Sequence, residues 1–206
     1  MALSKGLLQS ASKLVGHFKH SPKASRALEK AQEALKIPTQ ALVQMVKTRW
    51  NSAFYMLQRL EINRRPVENV LTDRALTSLD MQRKLKLSDG DWTLIEELNP
   101  ILQTLEMANT VLCAENKTTL SMIRPLMDKL VNSHLLPREN DTDPIRNFKS
   151  VVSSEIERRF QLRSDDDATS IVQTSQLACL LDPRYLQAPR FRGRRNEGKH
   201  SGCFAN

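Results

Sequence analysis

The sequence predicts a mainly α chain: a multi-helix, bundle-like arrangement with one short strand and a C-terminal tail too polar to pack. Three observations carry this reading. Apolar residues recur three and four apart through most of the chain, the spacing of one helix face. Only six glycines and 5% aromatic residues occur in 206 positions, which suits helices better than a sandwich or barrel. Ser-Pro, Asp-Pro and Ser-x-x-Asp signals stand where those periodic stretches begin.

Leu7, Leu8, Ala11, Leu14, Val15 and Phe18 define an amphipathic helix over 7–20. Ser21-Pro22 supplies an N-cap and a first-turn proline for a second helix, which runs to about Leu35 before Ile37-Pro38 breaks it. The run 41–46, with β-branched Val43 and Val46, is the single expected strand. It has no partner in the chain, and a lone strand leaves its backbone groups unpaired.

From Asn51 onward the pattern is helical. Ala53 to Asn63 forms one helix, and Pro66 to Asp73 continues or restarts it. Ser88 and Asp91 resemble a capping box for a long helix with Trp92, Ile95 and Leu98 inward. Pro100 is expected to kink or divide that helix before Ile101, Leu102, Leu105 and Ala108 continue it. Thr118 or Thr119 caps the next helix, whose inward side carries Leu120, Ile123, Leu126, Met127, Leu130 and Val131. A polar loop at 136–142 precedes a helix begun by Asp143-Pro144 and running through Phe148, Val151, Val152, Ile156 and Phe160. Asp165-Asp166-Asp167 makes an acidic turn, and Ile171 to Leu181 is the last helix. Residues 187–206 are rich in Arg and Gly, lack periodicity, and are expected to be disordered.

With 40% hydrophobic and 26% charged residues the chain reads as soluble and globular. No apolar run approaches bilayer length, and Met1 to Gly6 has no sustained apolar region of a secretory signal. Cys113, Cys179 and Cys203 form no close pair and no C-x-x-C, which favours a reducing compartment and argues against a zinc finger in this chain. His17 and His20 share a helix face but lack further ligands, and the same holds for His200 and Cys203. No metal or cofactor is expected.

The net charge of +8 is unevenly distributed. Residues 1–65 hold 12 Lys and Arg against 3 Asp and Glu, residues 66–183 hold 13 against 19, and residues 184–206 hold 6 against 1. The basic front contains Thr48-Arg49-Trp50-Asn51-Ser52, at the boundary between the expected strand and a helix. A helix start favours anions, and Trp50 adds a stackable surface beside a fixed positive charge. These five residues are the candidate nucleic-acid-binding site. Trp50 either stacks on an unpaired or flipped base or packs the junction. Arg49 suits phosphate, while Thr48, Asn51 and Ser52 serve as donors or caps, with Asn51 or Ser52 a good N-cap.

Val15-Gly16-His17-Phe18-Lys19-His20-Ser21-Pro22, Thr48-Arg49-Trp50-Asn51-Ser52 and Met56-Leu57-Gln58-Arg59-Leu60 resemble the hAT transposase superfamily, and more narrowly the BED zinc-finger proteins derived from it. Ser88-Asp89-Gly90-Asp91-Trp92, Thr118-Thr119-Leu120-Ser121 and Leu180-Leu181-Asp182-Pro183-Arg184-Tyr185 follow in the same order, so the resemblance covers roughly residues 7–186. It implies that 1–50 is a remnant of an RNase H-like core, with 41–46 its last strand. It further implies a helical insertion domain over 51–186, followed by a disordered basic tail over 187–206. The family's acidic triad would then lie outside this chain, as would its BED finger and dimerisation segment, so no catalysis is expected. The implied role is DNA binding, weak and transcription-related, in the nucleus. The alternative is a helical protein–protein interaction module whose acidic middle docks a partner.

Overall fold

The computed structural model describes residues 2–115, 119–162 and 170–185. Helix α1 spans Ala2–His20 and α2 spans Pro22–Ala34. Their junction follows from Ser21, whose Oγ accepts from the Ala24 amide at 3.3 Å while Pro22 opens the first turn. Leu7, Ala11, Leu14, Val15 and Phe18 of α1 are all buried, as their spacing predicts.

Among the described residues there is no β-strand, and 41–46 has no regular secondary structure. This corrects the expected strand, and the reason is the one its isolation implied: no second strand is available to complete a ladder. Side chains hold the segment instead. Arg59 donates to the Ala41 carbonyl at 3.0 Å, and the Gln44 amide donates to Ser12 Oγ at 2.6 Å. Leu42 and Met45 pack against the core.

Helix α3, Asn51–Ile62, and α4, Arg64–Thr72, meet at Asn63. Asn63 is fully buried, accepts from the Gln32 amide at 2.6 Å and donates to the Arg59 carbonyl at 2.8 Å. A side chain that competes for backbone partners in this way interrupts a helix. Helix α5, Leu79–Leu85, was not anticipated; Ser78 caps it through the Met81 amide at 3.3 Å.

Helix α6, Asp89–Leu112, begins with the expected capping box, Ser88 Oγ accepting from the Asp91 amide at 3.1 Å and Asp91 from the Ser88 amide at 2.9 Å. Pro100 does not divide it. Both halves are anchored by burial, with Ile95 and Leu98 before the proline and Ile101 and Ala108 after it, so tertiary packing offsets the missing backbone bond.

The next helix starts later than expected. Leu120–Met122 is a 3₁₀ turn, and Thr119 makes no side-chain cap there; Thr118 lies outside the described residues. Helix α7, Ile123–Lys129, runs into a π-type turn at Leu130–His134. Helix α8, Asp143–Phe160, starts at Asp143-Pro144 as expected, and its Val151 is exposed. Helix α9 spans Ser170–Leu181. The acidic turn at 165–167 and the tail from 187 lie outside the described residues.

The multi-helix reading therefore stands. One principal core joins Leu14 and Val15 of α1, Leu28 of α2, Leu57 and Leu60 of α3, Val67 of α4, Ile95 of α6 and Ile145 of α8. A smaller cluster of Ala108, Met127 and Leu130 lies under Phe160 and Leu162. Trp92 belongs to the principal core, 2% exposed, with the Arg64 guanidinium 5.2 Å from its ring centre. Cys179 is buried, whereas Cys113 is exposed at the end of α6.

Candidate nucleic-acid interface

The irregular segment 41–46 and the start of α3 enclose an open cleft of about 570 Å³. Val43, Gln44, Val46 and Tyr55 line it together with all five candidate residues, Thr48, Arg49, Trp50, Asn51 and Ser52. Sequence reasoning placed the five at one junction and missed Tyr55 and Gln44, which periodicity alone assigns to a helix face and to an expected strand.

Ser52 is the structural centre of the turn. Its Oγ accepts from the Val46 amide at 2.8 Å and lies 2.9 Å from the Val46 carbonyl and 2.5 Å from the Arg49 carbonyl, to which it donates. The Arg49 amide closes a further turn onto Val46 O at 3.0 Å. Neither Asn51 nor Ser52 is the N-cap. Trp50 occupies that position with helical φ and ψ and no side-chain cap bond, because Ser52 is engaged backwards with Val46. The Ser52 and Ala53 amides bond to the Arg49 and Trp50 carbonyls, both at 3.0 Å. These amides are thus satisfied internally, and the attraction for anions rests on the Arg49 side chain more than on the backbone.

Trp50 is 48% exposed and so does not pack into the core. Thr48 and Arg49 are exposed, and neither side chain has a hydrogen-bond or ion-pair partner among the described residues. Asn51 and Gln44 each keep a buried side-chain carbonyl oxygen without a hydrogen-bond partner. Across the cleft, the Tyr55 hydroxyl donates to Glu106 Oε1 at 2.7 Å, and Thr110 donates to the same oxygen at 3.0 Å. That bond to a carboxylate is the leading cause that raises the Tyr55 pKa above its ordinary value. The cleft therefore offers an aromatic face, a free guanidinium and a fixed phenol wall, a combination suited to a base with its phosphate.

His17 is half-buried, its imidazole pKa lowered by that burial, and its ring meets Phe18 edge-on at 5.7 Å. Among the described residues no group of three or more His, Cys, Asp or Glu side chains converges as a metal site would require. Among the same residues no helix is long and apolar enough to cross a membrane.

Residues 1–101 match the family model of the ZBED1 RNase-like helical domain. The chain is also 24% identical over 190 residues to the human zinc finger BED domain-containing protein 4, a match covering 88% of this chain and 14% of that relative. No solved structure matches significantly. Both matches are to BED zinc-finger proteins, the type that the sequence motifs resemble.

Proposed function

We propose that this chain is a non-catalytic part of a domesticated, transposase-like nuclear protein and that it contacts DNA weakly through Thr48, Arg49, Trp50, Asn51 and Ser52. The single observation behind the reading is the half-exposed Trp50 beside an unpaired Arg49 at the mouth of one cleft. The chain's ZBED kinship supports a nuclear setting, and the domain division proposed with it is 1–50, 51–186 and 187–206. Binding of the full chain to single-stranded and hairpin DNA, compared with Trp50→Ala and Arg49→Ala, tests the site. Equal affinities for all three proteins contradict it. Absence of Mg²⁺-dependent strand cleavage is the outcome expected of a non-catalytic chain.

A second reading, a protein-interaction module, has its own observation. Met107 is 59% exposed and Val111 37% exposed, over an apolar cleft between α6 and α7 that also includes Ala108, Leu126 and Leu130. Protein capture that survives nuclease treatment and is lost in Met107→Glu favours this reading.

A further inference from the structure

The cations of this chain fall into two populations. Every ion pair found among the described residues uses Arg64 or a cation later in the chain: Arg64 with Glu96 at 2.9 Å, Lys149 with Asp141 at 2.7 Å, Arg159 with Glu155 at 2.6 Å. Lys19, Arg26, Lys30 and Arg74, by contrast, are exposed and have no hydrogen-bond or ion-pair partner among the described residues. They are also neighbours. Lys19 lies in the last turn of α1, just before α2 begins, and Lys23, Arg26 and Lys30 follow at the spacing of one α2 face. Lys23 Nζ donates to the Ala75 carbonyl at 2.6 Å, which brings the start of α2 against the turn that carries Arg74.

Helix stability does not account for this arrangement. The first turn of α2 has no acidic residue and holds Lys23, although a cation at that end opposes the helix dipole. The nearby carboxylates do not neutralise the group. Asp73 turns onto its own loop, accepting from the Ala75 amide at 2.8 Å, and Glu29 and Glu33 have no cation within ion-pair distance. Five like charges held together without an ion-pair partner among the described residues raise the local potential and attract a polyanion.

We infer that Lys19, Lys23, Arg26, Lys30 and Arg74 form a second anion-binding surface, outside the Trp50 cleft, that grips the phosphate backbone of a nucleic acid without reading its sequence. The inference rests on the nucleic-acid reading above and extends it from one junction to a footprint across α1, α2 and the turn after α4. Phosphate contacts of this kind set affinity and its salt dependence, whereas a stacked base sets preference for unpaired strands.

The two surfaces are separable by experiment. In the full chain, Arg26→Ala/Lys30→Ala/Arg74→Ala removes three cations that bond to nothing in the fold, and Arg26→Lys/Lys30→Arg/Arg74→Lys keeps their charge. The slope of log affinity against log salt for duplex DNA is expected to fall by roughly 0.9 per lost contact, about 2 or more for the alanine variant, and to be retained in the charge-preserving one. An unchanged slope in an alanine variant with a native melting profile overturns the surface. So does an equal slope for polyglutamate, which would assign the face to acidic protein. Loss of unpaired-strand preference in Trp50→Ala belongs to the junction, and its absence contradicts that site while leaving the salt slope to decide this one.

Discussion

Arg184 Nη2 lies 3.3 Å from Ser121 Oγ, joining residues 63 positions apart. The two belong to separate sequence motifs, Leu-Leu-Asp-Pro-Arg-Tyr at the end of α9 and Thr-Thr-Leu-Ser before α7. Asp182 completes the joint: it is held by the Arg184 guanidinium at 2.6 Å and also takes a hydrogen bond from Ser121. Its carboxyl lies well below the ordinary carboxylate range, chiefly because of the Arg184 bond and then that of Ser121. The motif that ends the family resemblance is therefore a clasp that seats α9 on the 3₁₀ turn.

Breaking this clasp is expected to loosen one end of the molecule. In Arg184→Ala, amide hydrogen exchange quickens at 120–122 and 177–181, while the amides of α3 and early α6 keep their protection. Uniform acceleration across the chain contradicts this assignment.

Lys149 and Asp141 give the fold an acid-sensitive joint. Lys149 is 3% exposed and its ammonium bonds both Asp141 oxygens, at 2.8 and 2.7 Å. Burial by itself pushes the Asp141 carboxyl up. The Lys149 hydrogen bond, aided by the Arg138 amide, outweighs burial, and the pKa is lowered. A carboxyl depressed in the folded state stabilises at pH above its unfolded value, near 3.9, and loses that stabilisation as pH falls through the folded pKa. Urea midpoints should hold from pH 7 to 5 and decline below about 4. Asp141→Asn, which leaves the buried ammonium without its counter-charge, is expected to cost about 3–5 kcal/mol at pH 7 and to flatten that decline.

The buried pair Gln32 and Asn63 links α2 to the α3–α4 junction through a 2.6 Å bond. Asn63→Ala leaves the Gln32 amide with only the Gln40 carbonyl, at 2.9 Å, and is expected to destabilise by about 1–3 kcal/mol. Combining it with Gln32→Leu should cost less than the sum of the two single changes. Strict additivity shows that the pair is not coupled.

The helices legible in the sequence were those whose signals are local and redundant. Leu7 to Phe18 repeats one apolar face over three turns, and Ser88 with Asp91 carries both halves of a cap. Helix α5 escaped because its seven residues bury only Leu85, too little for periodicity to register. Segment 41–46 misled because Val43 and Val46 favour a strand locally, while strand formation needs a partner that local sequence cannot supply. At the junction, the five candidate residues do meet in one cleft. The swap of capping roles there was illegible, because Ser52 turns back to Val46 through a bond that only the folded turn creates.

The Trp50 cleft is the centre of this account, and intrinsic fluorescence tests it most directly. The chain has two tryptophans, of which Trp92 is buried and Trp50 is 48% exposed. Titration of the full chain with a single-stranded oligonucleotide at low salt should quench the exposed component, and Trp50→Phe should abolish that quenching while leaving the melting temperature nearly unchanged. Loss of stacking in Trp50→Ala is expected to weaken binding by about 1–3 kcal/mol. Saturable binding without quenching, with the same affinity in wild type and Trp50→Ala, would contradict the account.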